Sequence, residues 1–307
     1  EEKGKSEAIV RGMANILSDS KGFYGFDAYT TSNVPKGSGL SSSAAFEVLI
    51  GKIFSFLYCN NSVEPRELAE AGHKAEVEYF GKPCGKMDQY ACATGGIVYL
   101  DFFSDNTQSK AVDVSFKELG YSLFITNAGG SHAHLTPEYA AVPEEMKSVA
   151  REFGKKRLSD IEETIFWRKF SSLRGRVSDR ALSRALHYFT EVNRVKAQLD
   201  ALKKGDVDTY LSLMQQSGDS SLLNLQNIYP MCDQNERSLA LALGISKRLG
   251  AVSRVHGGGF AGTIQALVKN GYADSYKSDM ENIFGNGSSV EVAIRPVGAY
   301  VIGEEGK

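Results

Sequence analysis

Pro35-Lys-Gly-Ser-Gly-Leu-Ser-Ser-Ser-Ala-Ala45 decides how this chain is read. Gly37 and Gly39 lead into the serine run Ser41, Ser42 and Ser43, and Ala44 to Leu57 then has the composition of a helix. Upstream, Phe26, Ala28 and Thr30 alternate with other residues, which predicts a strand over 24–32. Strand, glycine loop and helix together aim backbone N–H groups and a positive helix end at one anion. Serine hydroxyls at the helix start cap it, bind phosphate oxygens or ligate a magnesium ion. A flexible linker or a merely well-capped helix is the plain alternative. Polyphosphate binding is the reading adopted.

With 307 residues, 42% of them hydrophobic and 23% charged, the chain suffices for one large globular domain or two ordinary ones. Its net charge of −2 offers no general attraction to nucleic acid or to an anionic membrane, so neither is expected as a partner. Cys59, Cys84, Cys92 and Cys232 show no paired spacing, which indicates neither a disulfide framework nor a zinc site. There is no apolar run of the roughly eighteen residues a span requires and no secretory signal, so a cytoplasmic location is expected. The chain begins at Glu1 with Ile9, Met13, Ile16 and Leu17 already at helical spacing. An upstream portion is therefore expected.

Periodicity predicts helices over 6–19, 44–58 and 65–80, and a strand from Ile97 to Phe102. The polar stretch Ser104 to Lys110 reads as a crossover between a first domain, 1–108, and a second, 109–307. The second domain opens with a strand over Tyr121 to Thr126 and continues as a mostly helical stretch, 143–250. A strand–loop–strand over Ala251 to Val268, a helix near 272–284 and a strand from Val290 to Pro296 complete it. Helices and strands mix without regular βαβ repetition, which favours α+β over a doubly wound sheet.

Two further loops carry candidate chemistry. Gly257-Gly-Gly-Phe-Ala-Gly262 matches G-x-G-x-x-G, but Thr263 to Val268 alternates as a strand, so a dinucleotide-binding turn is excluded by context. A glycine-rich hairpin that approaches a ligand, or simply a tight turn, remains. Gly81-Lys-Pro-Cys-Gly-Lys-Met-Asp-Gln89 brings Asp88 close to a glycine, where a carboxylate can orient or deprotonate an attacking hydroxyl. The plain alternative is that Asp88 caps the segment after it. Glu76 is a surface carboxylate or, beside serine hydroxyls at a phosphate site, a magnesium ligand.

Pro35–Val48, Gly81–Gln89 and Val255–Val268, in this order and at these separations, resemble the GHMP kinase superfamily, and galactokinases most closely. The resemblance implies a two-domain GHMP-kinase-like fold with its active site in the interdomain cleft. It implies ATP bound on Pro35, Gly37, Ser38, Gly39, Leu40, Ser41, Ser42, Ser43 and Ala44, with Gly258 and Gly259 supporting the nucleotide from the second domain. It makes Ser43 and Glu76 the magnesium ligands, Asp88 the catalytic residue facing the sugar's anomeric hydroxyl, and Gly85 and Tyr139 sugar contacts. The implied reaction is transfer of the γ-phosphoryl group of ATP, with Mg2+, to the C1 hydroxyl of galactose or a close relative. Small-molecule sugar and ATP are the expected partners.

The departures are specific. The N-terminal Gly-Glu-His signature of galactokinases, its nearby aspartate and an upstream arginine are not among the 307 residues. Ala140-Ala-Val-Pro-Glu-Glu-Met146 replaces the asparagine and paired arginines that often follow the tyrosine matching Tyr139. Pro143 is expected to open a helix with Glu144 and Glu145 in its first turn, the alternative being that a glutamate faces the sugar. The rival functions are another GHMP small-molecule kinase, a non-catalytic galactokinase-like sugar sensor, and a fragment inert as given. Retention of Ser42, Ser43, Ala44 and Asp88 disfavours the sensor.

Overall fold

The structure is a computed structural model and describes residues 2–18, 23–34, 40–82, 84–103, 107–130, 135–233 and 235–303. The chain divides into two compact units, one formed by Glu1–Asp113 with Ile294–Lys307 and the other by Val114–Ala293. Each is described by itself.

The first unit opens with α1 (Ser6–Leu17), whose apolar positions recur on one face, and α2 (Ser42–Tyr58) follows. α3 (Pro65–Lys74) begins at a capping box in which Glu64 and Glu67 exchange side-chain-to-backbone bonds, with Pro65 preset for the first turn. It runs straight into a π-helical turn, Ala75–Phe80. Ile9 and Met13 of α1, Ile50 and Phe54 of α2, and Ala71 and Ala75 form one core. α4 (Met87–Thr94) adds Tyr90 and Ala93 to a second core with Val48, Leu68 and Ala69. β1 (Ile97–Asp101) and β2 (Gln108–Val112) make an antiparallel pair. The chain after Ile294 returns to this unit, where the Gly96 N–H donates to Arg295 O at 2.7 Å.

Two expectations are corrected here. Residues 24–32 pair with no strand among the described residues; they run as irregular chain with Tyr24 and Tyr29 exposed. Phe23 and Phe26 still pack on Phe54, so the segment is held by ring contacts rather than by a ladder. Part of the segment expected as a crossover is strand β2, hidden because its first four residues are exposed and carry no apolar alternation.

In the second unit β3 (Tyr121–Asn127) is central. With β4 (Val252–Val255), β5 (Thr263–Lys269) and β6 (Ser289–Val292) it forms a four-stranded antiparallel sheet in the order β4-β5-β3-β6. Phe124 opposes Ala266, and Val255 opposes Ile264. α9 (Ser238–Arg248) and α10 (Ala273–Phe284) cover one core of this sheet through Leu239, Ala242, Tyr276 and Met280. α5 (Thr136–Arg151), α6 (Glu163–Leu173) and α7 (Asp179–Lys203) share a separate core around Phe166, Ala185 and Phe189. α8 (Val207–Ser220) runs beside α7 and against β4. Pro143 lies inside α5, not at its start; Pro137 occupies the first turn. Glu145 is consumed internally, accepting from Arg184 at 2.9 Å and from Arg180, while Glu144 pairs with Lys147. Glu145 is thus not left to face a ligand, while Glu144 stays on the exposed surface of α5.

Candidate active site

The serine run enters α2 through Ser41, which has φ 57°, a left-handed conformation that costs a non-glycine residue energy and recurs at functional sites. Its side chain makes no capping hydrogen bond. Ser43 in the first turn instead turns its hydroxyl to Glu76, donating to Oε1 at 3.2 Å. Glu47 lies one helical turn further on the same face of α2 and is fully buried.

Glu76 is placed by the π-helical turn, which shifts the helical register where α3 would otherwise continue. The turn stops at Gly81, whose φ of 88° suits a residue without Cβ. Gly81 and Lys82 both donate backbone N–H groups to Glu76 O, at 3.0 and 3.1 Å. The Lys82 ammonium then reaches Glu76 Oε1 at 2.9 Å.

Gln89 closes the network. Its side-chain amide donates to Glu47 Oε2 at 2.9 Å and to Glu76 Oε2 at 3.0 Å. Gln89 is 1% exposed, Glu76 3% and Glu47 0%, so three polar side chains meet away from water. Glu47 Oε1 and Gln89 Oε1 have no hydrogen-bond partner within the described residues. Asp88 precedes Gln89 in the first turn of α4 and is half-buried. The bonds that fix Gln89 therefore fix the backbone that carries Asp88.

The electrostatics follow from crowding acids in one place. Burial pushes the Glu47 carboxyl up to about 7, opposed by the bond from Gln89 and reinforced by repulsion from Glu76 and Asp88. For Glu76 burial would also raise the value, but bonds from Cys84, Lys82 and Ser43, with the Lys82 charge, hold it below the usual carboxylate range. Burial would lower Lys82, and the Glu76 carboxylate outweighs it and raises the ammonium. Burial and the bond to Glu76 push the Cys84 thiol up to about 12, which leaves it unreactive at neutral pH.

Hydroxyl and carboxylate oxygens with two unpartnered buried oxygens form a hard donor set, suited to magnesium rather than to a soft metal. Among the described residues no group of three or more His, Cys, Asp or Glu side chains could hold a metal alone. Magnesium commonly takes one or two carboxylates and completes its shell with water and phosphate oxygens.

In the second unit the glycine loop is a hairpin between β4 and β5, with His256 N–H donating to Thr263 O at 2.9 Å. Gly259 has φ 82°, and a Cβ there would stand 2.1 Å from Asn227 O, so no other residue fits. Phe260 also has positive φ and is held by its N–H on Asn227 O and by burial. Tyr139 donates its hydroxyl to Gly259 O at 2.9 Å and sets its ring edge-on to Phe260.

Leu40, Ser41, Ser42, Ser43 and Ala44 thus lie at the start of α2, and Ser43, Glu76 and the Asp88 turn converge in the first unit. Pro35, Gly37, Ser38 and Gly39 lie outside the described residues. Gly85 is exposed, with open space where a Cβ would be. Tyr139, Gly258 and Gly259 come together in the second unit. The motifs alone do not single out Glu47, Lys82 or Gln89, which the structure joins to this network. Glu47 had a signal: a lone carboxylate within Ala44-Ala-Phe-Glu-Val-Leu-Ile50, one turn after Ser43.

Comparison with known proteins identifies the family and the fold. Residues 8–96 match the GHMP kinases N terminal domain. The chain is 34% identical over 274 residues to a galactokinase of Glaesserella parasuis serovar 5 (strain SH0165), covering 88% of the chain and 68% of that protein. It is 32% identical over 273 residues to a galactokinase of Haemophilus influenzae (strain PittEE), covering 87% and 68%. Among solved structures, Lactococcus lactis galactokinase complexed with galactose superposes with a TM-score of 0.77 at 23% identity, over 97% of this chain and 77% of that one. A D-glycero-D-manno-heptose 1-phosphate kinase from Bacteriodes thetaiotaomicron gives a TM-score of 0.55 at 18% identity, over 97% and 74%. These two show the fold.

Proposed function

The chain belongs to the galactokinase family of GHMP kinases, phosphotransferases with an alcohol group as acceptor, and from that premise we propose that it transfers the γ-phosphoryl group of ATP to the C1 hydroxyl of galactose or a close relative. One observation carries the reading. Ser43 of the serine run and Gln89 beside Asp88 hold the two oxygens of the same buried carboxylate, Glu76.

The roles divide as follows. Backbone N–H groups of Gly37 to Ser43 and the start of α2 hold the phosphates. Ser43 and Glu76 hold Mg2+, which when bound neutralises charge on the phosphate oxygens. Asp88 orients the C1 hydroxyl and accepts its proton as the oxygen attacks phosphorus. Gln89 keeps the α4 turn, and with it Asp88, in register with Glu76. Phosphoryl transfer depends chiefly on position and charge, which a buried and interlocked carboxylate supplies without reorganising. Contacts of Gly258 and Gly259 with the nucleotide, contacts of Gly85 and Tyr139 with the sugar, and a cytoplasmic location belong to the same proposal. No helix among the described residues is long and apolar enough to cross a membrane.

Calorimetry with a non-hydrolysable ATP analogue tests the assignment. Binding should weaken about tenfold in Ser43→Ala and on removal of magnesium, the scale of one lost contact to a charged group. Affinity unchanged in both cases contradicts it.

A further inference from the structure

Glu76 Oε1 is shared by two groups, the Ser43 hydroxyl at 3.2 Å and the Lys82 ammonium at 2.9 Å. Lys82 is built into this position, since its own N–H and that of Gly81 both bind Glu76 O. The pair is asymmetric: the Glu76 side chain is 4% exposed and that of Lys82 56%. A buried anion is thus held by a cation on a flexible stem whose other end faces solvent. Glu47 and Asp88 add acidic groups nearby, and Lys82 is the cation acting on both Glu47 and Glu76.

We propose that Lys82 is a tethered counter-ion which occupies Glu76 in the metal-free site and yields that carboxylate to the divalent cation, so that it sets how strongly nucleotide binding depends on metal. This rests on Glu76 being a cation ligand, as proposed above. An ammonium and a divalent cation compete for one carboxylate oxygen. Without metal, Lys82 offsets the repulsion between the acidic cluster and an incoming polyphosphate. Lys82 therefore damps the coupling between metal and nucleotide, and its removal sharpens it.

Calorimetry with a non-hydrolysable ATP analogue gives, for each variant, the dissociation constant in EDTA divided by that in magnesium. Lys82→Met should raise that ratio by about tenfold, a common size for coupling between two ligands, chiefly by weakening metal-free binding. Lys82→Arg, which keeps the charge, should stay near the wild-type ratio. Glu76→Gln should remove most of the metal dependence. A Lys82→Met ratio that is unchanged or lowered, while Glu76→Gln abolishes metal dependence, overturns the role of Lys82 and leaves the cation assignment standing. Lys82→Arg behaving like Lys82→Met assigns the effect to shape and also overturns the counter-ion role. Metal dependence that survives Glu76→Gln overturns both. Thermal melts of each variant in the same buffers report whether the fold is kept: Lys82→Met leaves the buried Glu76 carboxylate without its cation, whereas Lys82→Arg keeps the charge.

Discussion

Gln89 Nε2 donates to Glu47 Oε2 at 2.9 Å, tying α4 to α2 through two buried side chains. The same amide holds Glu76. Asp88, one residue earlier, thereby inherits a backbone fixed against the helix that follows the serine run. The candidate base and the start of α2 are positioned by one network, and that network holds more acid than base.

Stability should fall with pH through Glu47. Burial leads the causes that raise this carboxyl from 4.5 to about 7 in the fold. Its folded value lies above its unfolded one, so the contribution is intact below 4.5 and is lost as pH rises through about 7. A shift of that size corresponds to on the order of 3 kcal/mol. Glu47→Gln cannot ionise and should flatten the decline in denaturant stability of metal-free protein between about pH 5 and about pH 8. An equal decline in wild type and variant contradicts this.

Asp88→Asn should lower sugar-dependent ADP formation by about 100-fold or more, the scale of lost proton transfer or charge assistance. Asp88 is half-buried in the first turn of α4, and Asn serves that position comparably, so the melting temperature should barely move. Steady-state kinetics beside a thermal melt decides it. Retained turnover removes the base role; lost turnover with a collapsed melt makes Asp88 structural.

In the second unit Glu145 neutralises Arg184, which is only 1% exposed. Burial holds this guanidinium below its ordinary value, and Glu145 opposes that. Glu145→Ala leaves a buried charge without its partner and should cost on the order of 3–5 kcal/mol in urea unfolding. A loss within about 1 kcal/mol of wild type, the usual effect of an average substitution, speaks against a structural role for the pair.

Much of this was legible because it depends on period and order. Ile9, Met13 and Ile16 mark α1, and Thr263 to Val268 alternates as β5 does. Motif order suggests that the serine run, Glu76 and Asp88 lie together, and the Ser43–Glu76 and Gln89–Glu76 bonds bring Ser43, Glu76 and the residue after Asp88 into contact. What failed was local pattern without its partner. Alternation at Phe26, Ala28 and Thr30 predicts a strand only when a neighbouring strand takes its backbone groups. β2 has a neighbour but a mostly exposed surface, so nothing in its side chains marks it. α4 begins at Met87, so close behind Gly85 that the sequence there reads as loop. Pro143 sits inside α5 because Pro137 already starts that helix. Lys82 was invisible as a site residue, since its pairing depends on a π-helical turn that no periodicity announces.

The regiochemistry of the product tests the central claim most directly. Galactose, ATP and magnesium are incubated with the enzyme, and the sugar product is followed by phosphorus-coupled proton NMR beside ADP release. The account predicts one sugar phosphate, formed in step with ADP, whose phosphorus couples to the anomeric proton. ADP release without a sugar phosphate, or a phosphorus coupled to any other sugar position, would contradict it.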